Sequence, residues 1–235
     1  MNEAPQDRVA VFLRHGQSEW NRTDRFTGWS DIDLNPAGIA QAGHAGRQLA
    51  AAGYAFDEAH VSLMRRTRQT AEVLLAAGGW CGVPIHETWR LNERHYGALQ
   101  GMVKQEIFAA WGDEKSRRWW RGYHEPPPPL DPDDPRHPRH DPRYAGLDPA
   151  LLPATESLQQ CQERTLPYWR EILQPRIAAG RRLLIVSHGN TLRGLVMQLD
   201  GISPEAMEHV EITSGVPLVY RFSPDMRIAC RAWLE

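Results

Sequence analysis

Two short apolar runs along the chain predict buried β-strands. Residues 8–13 read RVAVFL, and residues 182–186 read RLLIV. Both runs contain mainly β-branched and bulky apolar residues and give way to polar residues, as strands inside a sheet do. Weaker strand patterns cover residues 58–62, 216–222 and 227–232. The chain is therefore predicted to contain at least five strands.

Helical patterns lie between these runs. Asn35 followed by Pro36 is a start signal, and Gly53 is a stop signal, so a helix is predicted over residues 36–52. Further helices are predicted over residues 65–77, 104–111, 156–172 and 191–199. Alternating strands and helices predict an α/β fold of three layers, with a mostly parallel sheet flanked by helices on both faces.

Residues 124–153 interrupt this alternation. The segment is rich in Pro, Asp, Arg and His, a composition that does not sustain regular helix or central strand. Long irregular excursions inside a domain are often lids over a functional site. We therefore expect a single domain over residues 1–235, with this segment lying over the site.

Composition narrows the class of protein. The 235 residues carry a formal net charge of -2, which does not favour the broad basic surface that nucleic acid binding requires. No apolar run is long enough to span a bilayer, and the first residues do not resemble a signal peptide. Cys81, Cys161 and Cys230 show no paired spacing. A soluble cytoplasmic protein with reduced thiols is expected.

Two histidines follow the two strongest strands. His15-Gly16 comes directly after the first run and Arg14, and His188-Gly189 comes after the second. Ligands of open parallel sheets collect beyond the carboxyl ends of the strands, so both histidines should face one pocket. Glycine leaves backbone amides accessible to an anion, and a helix starting after Asn190 adds a favourable dipole. The pattern predicts a phosphate site, although a lone histidine is more often structural.

Several motifs resemble those of one known family. LRHGQSEWN at residues 13–21 looks like the signature of the histidine phosphatase superfamily. RFTGWSDIDLNPAG, LNERHYGALQG, HDPRYAGL, SHGNTLRGLV and SGVPLVY narrow the resemblance to the cofactor-dependent phosphoglycerate mutases. The similarity extends from about residue 8 to residue 234.

The resemblance implies a phosphohistidine mechanism. His15 would be the nucleophile that carries the phosphoryl group. Without a metal, side chains must neutralise the charge of the transferring group, and planar guanidinium groups suit this role. The implied phosphate-binding residues are Arg14, Arg66, His188, Asn21, Thr27, Gly28, Gly189 and Asn190, with His188 a charged donor if it is protonated.

A general acid/base and a second cationic cluster are also implied. Glu93 matches the family's proton carrier. Taken from the local sequence alone, it would be a surface ion-pair partner of Arg90 or Arg94. The groups that would hold the rest of the substrate are Arg94, Tyr96, Lys104 and Arg121.

Two departures from the family pattern bear on the pocket. Trp120 stands before Arg121 where the family usually has a second arginine, and it would stack on a ligand or simply pack. Arg117 or Arg118, one helical turn earlier, would then compensate. The chain also ends at Glu235, without the polar tail that closes over the pocket in many members, so more hydrolysis of the phosphoenzyme is expected.

The implied activity is the interconversion of 3-phosphoglycerate and 2-phosphoglycerate, primed by 2,3-bisphosphoglycerate and needing no metal. His137, His140, Asp133 and Asp134 include metal-ligand types, but they lie in the family's own excursion. Relatives commonly form homodimers or homotetramers. The alternatives are a phosphatase that uses the same His15, and a non-catalytic module that binds a phosphorylated partner, which would not require Glu93.

Overall fold

Residues 8–234, which the computed structural model describes, form six strands and nine α-helices. The strands are β1 Arg8–Arg14, β2 Glu58–Val61, β3 Ile85–Glu87, β4 Leu183–Ser187, β5 Leu218–Phe222 and β6 Ile228–Trp233. The helices are α1 Glu19–Arg22, α2 Pro36–Ala51, α3 Arg65–Ala77, α4 Lys104–Trp111, α5 Asp113–Arg121, α6 Leu158–Tyr168, α7 Gln174–Ala178, α8 Gly189–Asp200 and α9 Pro204–Met207. None of these helices is long and apolar enough to cross a bilayer.

The strands form one sheet in the order β3-β2-β4-β1-β5-β6. Strands β3, β2, β4 and β1 run parallel, whereas β5 and β6 are antiparallel to their neighbours. The predicted mostly parallel sheet is thus confirmed. Because β1 and β4 are adjacent and parallel, their carboxyl ends, with His15 and His188, meet at the same edge.

Side chains of β1 alternate between two cores, one on each face of the sheet. Ala10 and Phe12 pack with Leu158 of α6 and Leu192 of α8. Val9, Val11 and Leu13 lie in the opposite core, which also contains residues of α2 and α3. The sheet is therefore covered on both faces, and the strand runs are apolar throughout because both faces are buried.

The start of α2 follows its predicted capping signal, whereas α3 and α4 begin without a side-chain cap. The Asn35 side chain accepts a hydrogen bond from Gly38 N at 2.9 Å and begins α2, and α3 and α4 have their predicted bounds. The predicted helix over 156–172 is wrong at both ends. Ser157 caps α6, Pro167 lies inside it, and a π-helical turn at Trp169–Leu173 joins it to α7. Strand β3 and helix α5 were not predicted.

The Pro-rich segment 124–153 contains no α-helix or strand, as expected. It forms 3₁₀ turns at Pro138–His140, Pro142–Tyr144 and Pro149–Leu151. Pro128 O accepts a hydrogen bond from Ala98 N, and the buried Tyr144 hydroxyl accepts one from Asn92 Nδ2 at 2.9 Å. The segment therefore packs behind the wall of the pocket described below. None of its residues lines that pocket, and its position over the site stays a prediction.

Buried neutral histidines predict acid sensitivity. Burial lowers the pKa of His60 to about 4 and that of His95 to about 3. Between about pH 6.5 and pH 4 the unfolded chain binds protons that the folded chain does not, so stability falls as the pH falls. In urea titrations at several pH values, His60→Gln should flatten this dependence, whereas His44→Gln, at an exposed position, should not. Equal slopes for wild type and His60→Gln would contradict the prediction.

Candidate active site

A polar pocket of about 220 Å³ lies beyond the carboxyl ends of β1 and β4. Its volume suits a small molecule and not a macromolecule. It is lined by Arg14, His15, Asn21, Arg25, Phe26, Thr27, Gly28, Arg66, Glu93, Tyr96, Lys104, Trp120, Arg121, Gly189, Asn190, Arg193, Glu211 and Ile212. Most of the residues predicted from the sequence are thus brought together here.

Gly16, the residue after His15, is needed for close packing of two backbone segments. Gly16 N donates to Thr70 Oγ1 at 3.1 Å, so this amide is not free to bind an anion, contrary to the expectation from sequence. A Cβ on Gly16 would lie 2.3 Å from Gly38 O, and one on Gly38 would lie 2.1 Å from Gln17 O. Two glycines therefore let α2 begin against the loop that carries His15.

His15 is held in one orientation by its own loop. Its Nδ1 lies 2.7 Å from Gly16 O, an acceptor, so Nδ1 carries the proton and Nε2 keeps its lone pair. Burial, with Arg66 and Arg14 nearby, holds the pKa of His15 well below its usual range. The ring is therefore neutral at neutral pH and presents a nucleophilic nitrogen.

His188 lies behind His15, with the two ring centroids 5.0 Å apart. Its Nε2 is 2.8 Å from Ser62 Oγ, and its buried Nδ1 has no partner among the residues that the structure describes. Burial and the nearby Arg66 hold the pKa of His188 well below its usual range, so the ring is neutral in this state. His188 is not among the residues that form the pocket surface, but its unpaired nitrogen is available to a phosphate oxygen.

Two arginines lie beside His15, and each has N–H groups that are not used in hydrogen bonds. Arg66 uses NH1 and NH2 on Ser30 O and Gly28 O, each at 2.8 Å, and Arg14 uses NH1 on Ile212 O at 3.0 Å. The Nε atoms of both side chains are buried and have no hydrogen-bond partner within residues 8–234. Burial lowers the pKa of Arg66 to about 10, which leaves it charged. Unpaired buried donors are costly, so an anion here would be stabilising.

The loop after α1 supplies neutral donors to the same end of the pocket. Thr27 Oγ1 is buried and unpaired. Asn21 Oδ1 accepts from Ser18 N and Ser18 Oγ, which leaves its NH₂ group for a ligand. Gly28 has a φ of 53°, and a Cβ there would lie 2.1 Å from Gln100 Oε1. Glycine is thus required where the loop turns beneath the pocket.

Glu93 is fixed against the first turn of α8. Its Oε1 accepts hydrogen bonds from Arg94 N at 2.8 Å and Asn190 N at 3.2 Å. Its backbone carbonyl accepts from Trp29 Nε1 and from the buried Arg164, which itself pairs with Glu156. Oε2 has no partner within the described part of the chain. Glu93 is therefore a held carboxylate with one oxygen free, and not a surface ion-pair partner.

The far end of the pocket holds a second cationic cluster. The Trp120 ring lies 4.8 Å from Lys104 Nζ and 4.6 Å from Arg121 Cζ. Lys104 forms an ion pair with Asp24, and Arg121 with Glu211. Trp120 therefore does more than pack, because its ring holds two cationic side chains in place through cation–π contacts.

Arg94 does not belong to this cluster in the structure. Its guanidinium is fully buried, donates to the carbonyls of Trp119, Trp120 and Gly122, and lies outside the pocket lining. These carbonyls form the end of α5, where a cation is favourable. The predicted direct contact of Arg94 with substrate is corrected on this ground, since the side chain supports the wall instead.

Sequence reasoning missed Arg25, Arg193 and Glu211, which all line the pocket. Arg193 lies three residues after Asn190 on the same face of α8, a spacing visible in the sequence. Arg117 and Arg118, the predicted substitutes for a second arginine, are exposed and do not reach the pocket. Arg118 pairs with Glu114 and Glu125 instead.

Within residues 8–234, no group of three or more His, Cys, Asp or Glu side chains is placed to hold a metal ion. In the Pro-rich segment, the ring centroids of His137 and His140 are 6.5 Å apart, and His140 Nε2 lies 3.0 Å from Pro132 O.

Comparison with known proteins places this pocket in a family. Residues 10–227 match the family described as "Histidine phosphatase superfamily (branch 1)". The chain is 48% identical over 224 residues to a "2,3-bisphosphoglycerate-dependent phosphoglycerate mutase" from Nitratidesulfovibrio vulgaris (strain DSM 19637 / Miyazaki F). That alignment covers 95% of this chain and 90% of the relative.

Solved structures share the fold at low sequence identity. "Mycobacterial hydrolase 1" superposes with a TM-score of 0.73 at 21% identity, covering 97% of this chain and 99% of that one. A mycobacterial glucosyl-3-phosphoglycerate phosphatase gives 0.71 at 23% identity, covering 97% and 98%. YhfR of Bacillus stearothermophilus gives 0.71 at 22%, covering 94% and 95%. These likenesses concern the fold alone.

Proposed function

This chain belongs to the histidine phosphatase superfamily, and we infer that it interconverts 3-phosphoglycerate and 2-phosphoglycerate through a phosphohistidine at His15. The observation that carries the proposal is one pocket with two differently built ends. A neutral histidine with unpaired arginine donors lies at one end, and Lys104 and Arg121 lie at the other. Such a pocket suits a small ligand with anionic groups at both ends.

At the first end, His15 Nε2 attacks the phosphorus of a phosphoryl group. The N–P bond forms as the bond between phosphorus and the sugar-acid oxygen breaks. Arg14, Arg66 and the Nδ1–H of His188 would bind the equatorial oxygens, where negative charge is spread. Gly16 O holds the Nδ1 proton of His15 and stabilises positive charge on the ring.

Glu93 moves the proton. When a glycerate hydroxyl attacks phosphohistidine, Glu93 takes the hydroxyl proton as the O–P bond forms and the N–P bond breaks. His15 then takes the phosphoryl group from the other oxygen, and Glu93 returns the proton to that oxygen. The free Oε2 of Glu93 is the atom suited to this role. The two half-reactions yield the isomer of the starting monophosphate.

The pocket fits 2,3-bisphosphoglycerate as the primer, which supplies the first phosphoryl group to His15. Its fit is supported by unpaired buried donors at one end, namely the Nε atoms of Arg14 and Arg66 and Thr27 Oγ1. Lys104, Arg121 and Tyr96 would hold the second phosphate or the carboxylate, with Asn21, Gly28, Gly189 and Asn190 along the sides. No metal is required for this chemistry, and none is proposed.

Two alternatives use the same pocket. A phosphatase would transfer the phosphoryl group from His15 to water. The cations at the far end and the 48% identical mutase relative favour return to a glycerate hydroxyl instead. A module that only binds phosphate would not need a carboxylate held in place as Glu93 is.

An enzyme of central carbon metabolism is expected in the cytoplasm, as a homodimer or homotetramer.

A coupled assay tests the proposed activity. With 3-phosphoglycerate as substrate, formation of 2-phosphoglycerate should accelerate when a trace of 2,3-bisphosphoglycerate is added, because priming restores hydrolysed phosphoenzyme. No 2-phosphoglycerate under either condition would reject the mutase reaction.

Trp120 gives a more selective prediction. Trp120→Ala should raise KM for 3-phosphoglycerate about five- to tenfold with little change in kcat, since two cation–π contacts of modest strength hold Lys104 and Arg121 in place. Trp120→Phe should stay near wild type. The matched control is Trp111→Ala, which removes a cation–π contact to Lys115 outside the pocket. An unchanged KM in Trp120→Ala would show that the ring only packs.

A further inference from the structure

A buried chain of hydrogen bonds runs from Arg193 to the pocket surface. Arg193 is 2% exposed, and its NH1 donates to Asn190 Oδ1 at 3.0 Å, one turn earlier on α8. Asn190 Nδ2 in turn donates to the Tyr96 hydroxyl oxygen at 2.9 Å. Three side chains from two parts of the chain are thus connected in series.

The chemistry of the groups fixes the direction of this chain. A guanidinium group only donates hydrogen bonds, so the carbonyl oxygen of the Asn190 amide must face Arg193. The NH₂ end then necessarily faces Tyr96. Turning the amide over would place two sets of donors against each other beside Arg193, inside a buried site where an unsatisfied group is costly.

This direction decides what Tyr96 offers to a ligand. Its oxygen accepts from Asn190, so its own O–H hydrogen is not used in that bond and remains for another acceptor. Tyr96 lines the pocket, as do Lys104 and Arg121. A phosphate or carboxylate oxygen of a ligand within reach of the phenol would accept this hydrogen.

Arg193 is itself held in place on its other side. Its NH2 donates to Met207 O at the end of α9 and, at 3.4 Å, to Arg121 O at the end of α5. The guanidinium group is therefore bonded between three elements before any ligand arrives. It has the rigidity that a group must have if it is to orient another side chain.

We propose that Arg193 is a positioning residue, which makes Tyr96 a hydrogen-bond donor to the ligand by fixing the Asn190 amide. The inference rests on the proposed function for the identity of the ligand. It differs from a direct role of Arg193, which lines the pocket and whose buried Nε has no partner among the described residues. It also differs from a purely structural role.

A double-mutant cycle separates these roles. The dissociation constant of 3-phosphoglycerate is measured by calorimetry for wild type, Arg193→Met, Tyr96→Phe and the double variant. Arg193→Met should weaken binding about tenfold in the presence of Tyr96, as expected for loss of a hydrogen bond to a charged group. In the Tyr96→Phe background, which has no hydroxyl to orient, Arg193→Met should weaken binding by less than about twofold.

Two further variants keep the test decisive. Arg193→Lys retains a donor to Asn190 and should bind within about threefold of wild type. Arg176→Met, which removes a cation that pairs with Glu58 away from the pocket, is the control for general charge loss. If Arg193→Met does not fold, as judged by circular dichroism, Arg193→Leu, which also lacks a donor to Asn190, replaces it in the cycle with the same expectation.

The proposal would be overturned if Arg193→Met lowered the affinity for 3-phosphoglycerate equally with and without the Tyr96 hydroxyl. A direct contact of Arg193 with the ligand, or a structural defect, would have the same effect whether or not that hydroxyl is present. Failure of the proposed function is distinguishable. It would appear as wild-type protein that forms no 2-phosphoglycerate, whether or not the binding cycle shows coupling.

Discussion

Replacing His15 with alanine is expected to lower mutase turnover by about 10⁴-fold or more, because the covalent route is lost entirely. No other group at the first end can substitute as the nucleophile. Arg14 and Arg66 are charged and offer no lone pair, and His188, with Nε2 engaged by Ser62, binds the phosphoryl oxygens through its Nδ1 proton. The rate is measured in the coupled assay with saturating 2,3-bisphosphoglycerate.

The same variant removes the chemical signature of the mechanism. Wild-type protein incubated with 2,3-bisphosphoglycerate should gain one acid-labile phosphate on the peptide that contains His15, detected by mass spectrometry under non-acidic conditions. His15→Ala should gain none, whereas His44→Ala, at an exposed position on α2, should label normally. Undiminished turnover in His15→Ala would contradict the assignment of the nucleophile.

Replacing Glu93 with glutamine is expected to lower turnover by about 10²- to 10⁴-fold, the usual contribution of a positioned general acid/base. The change is nearly isosteric. The Gln oxygen can still accept from Arg94 N and Asn190 N, so the contacts that hold this side chain against α8 are retained. What is lost is the ability to receive and return a proton.

A substrate with a good leaving group isolates this role. Phosphoryl transfer from p-nitrophenyl phosphate to His15 needs no protonation of the departing phenolate. The rate of p-nitrophenolate release in the first turnover should therefore fall much less in Glu93→Gln than the mutase rate does. If both substrates lose activity equally, Glu93 acts in binding or folding instead of proton transfer.

The sheet and the first end of the pocket were predictable because local patterns determine them. The apolar runs of β1 and β4 are buried on both faces, and each leads directly into a histidine. Two parallel neighbours then place His15 and His188 together without further information. The cap of α2 at Asn35 is likewise local, since its side chain accepts a hydrogen bond from Gly38 N three residues later.

Other features depend on contacts between distant segments. Arg94 follows Glu93 directly, yet it points into the protein because the carbonyls at the end of α5 need a cationic partner. The role of Trp120 requires knowing that α4 and α5 bring Lys104 and Arg121 into contact with one ring. Strand β3 has only three residues and owes its existence to its pairing with β2. No local pattern contains these facts.

The Pro-rich segment illustrates a different limit. Its composition correctly predicted the absence of regular structure, but composition does not say where an irregular segment lies. Its position follows from particular contacts, such as Tyr144 with Asn92 and Ala98 with Pro128, which hold the segment behind the loop that carries Glu93. The outer part of the pocket is formed instead by α5 and by residues before β5, including Glu211.

The fate of the phosphoryl group on His15 tests the central claim most directly. ³¹P NMR follows all phosphorus species after the protein is mixed with 3-phosphoglycerate and a trace of 2,3-bisphosphoglycerate. The account predicts an equilibrium mixture of 3-phosphoglycerate and 2-phosphoglycerate, with inorganic phosphate appearing far more slowly than isomerisation. Inorganic phosphate accumulating without 2-phosphoglycerate would contradict it, since His15 would then transfer its phosphoryl group to water.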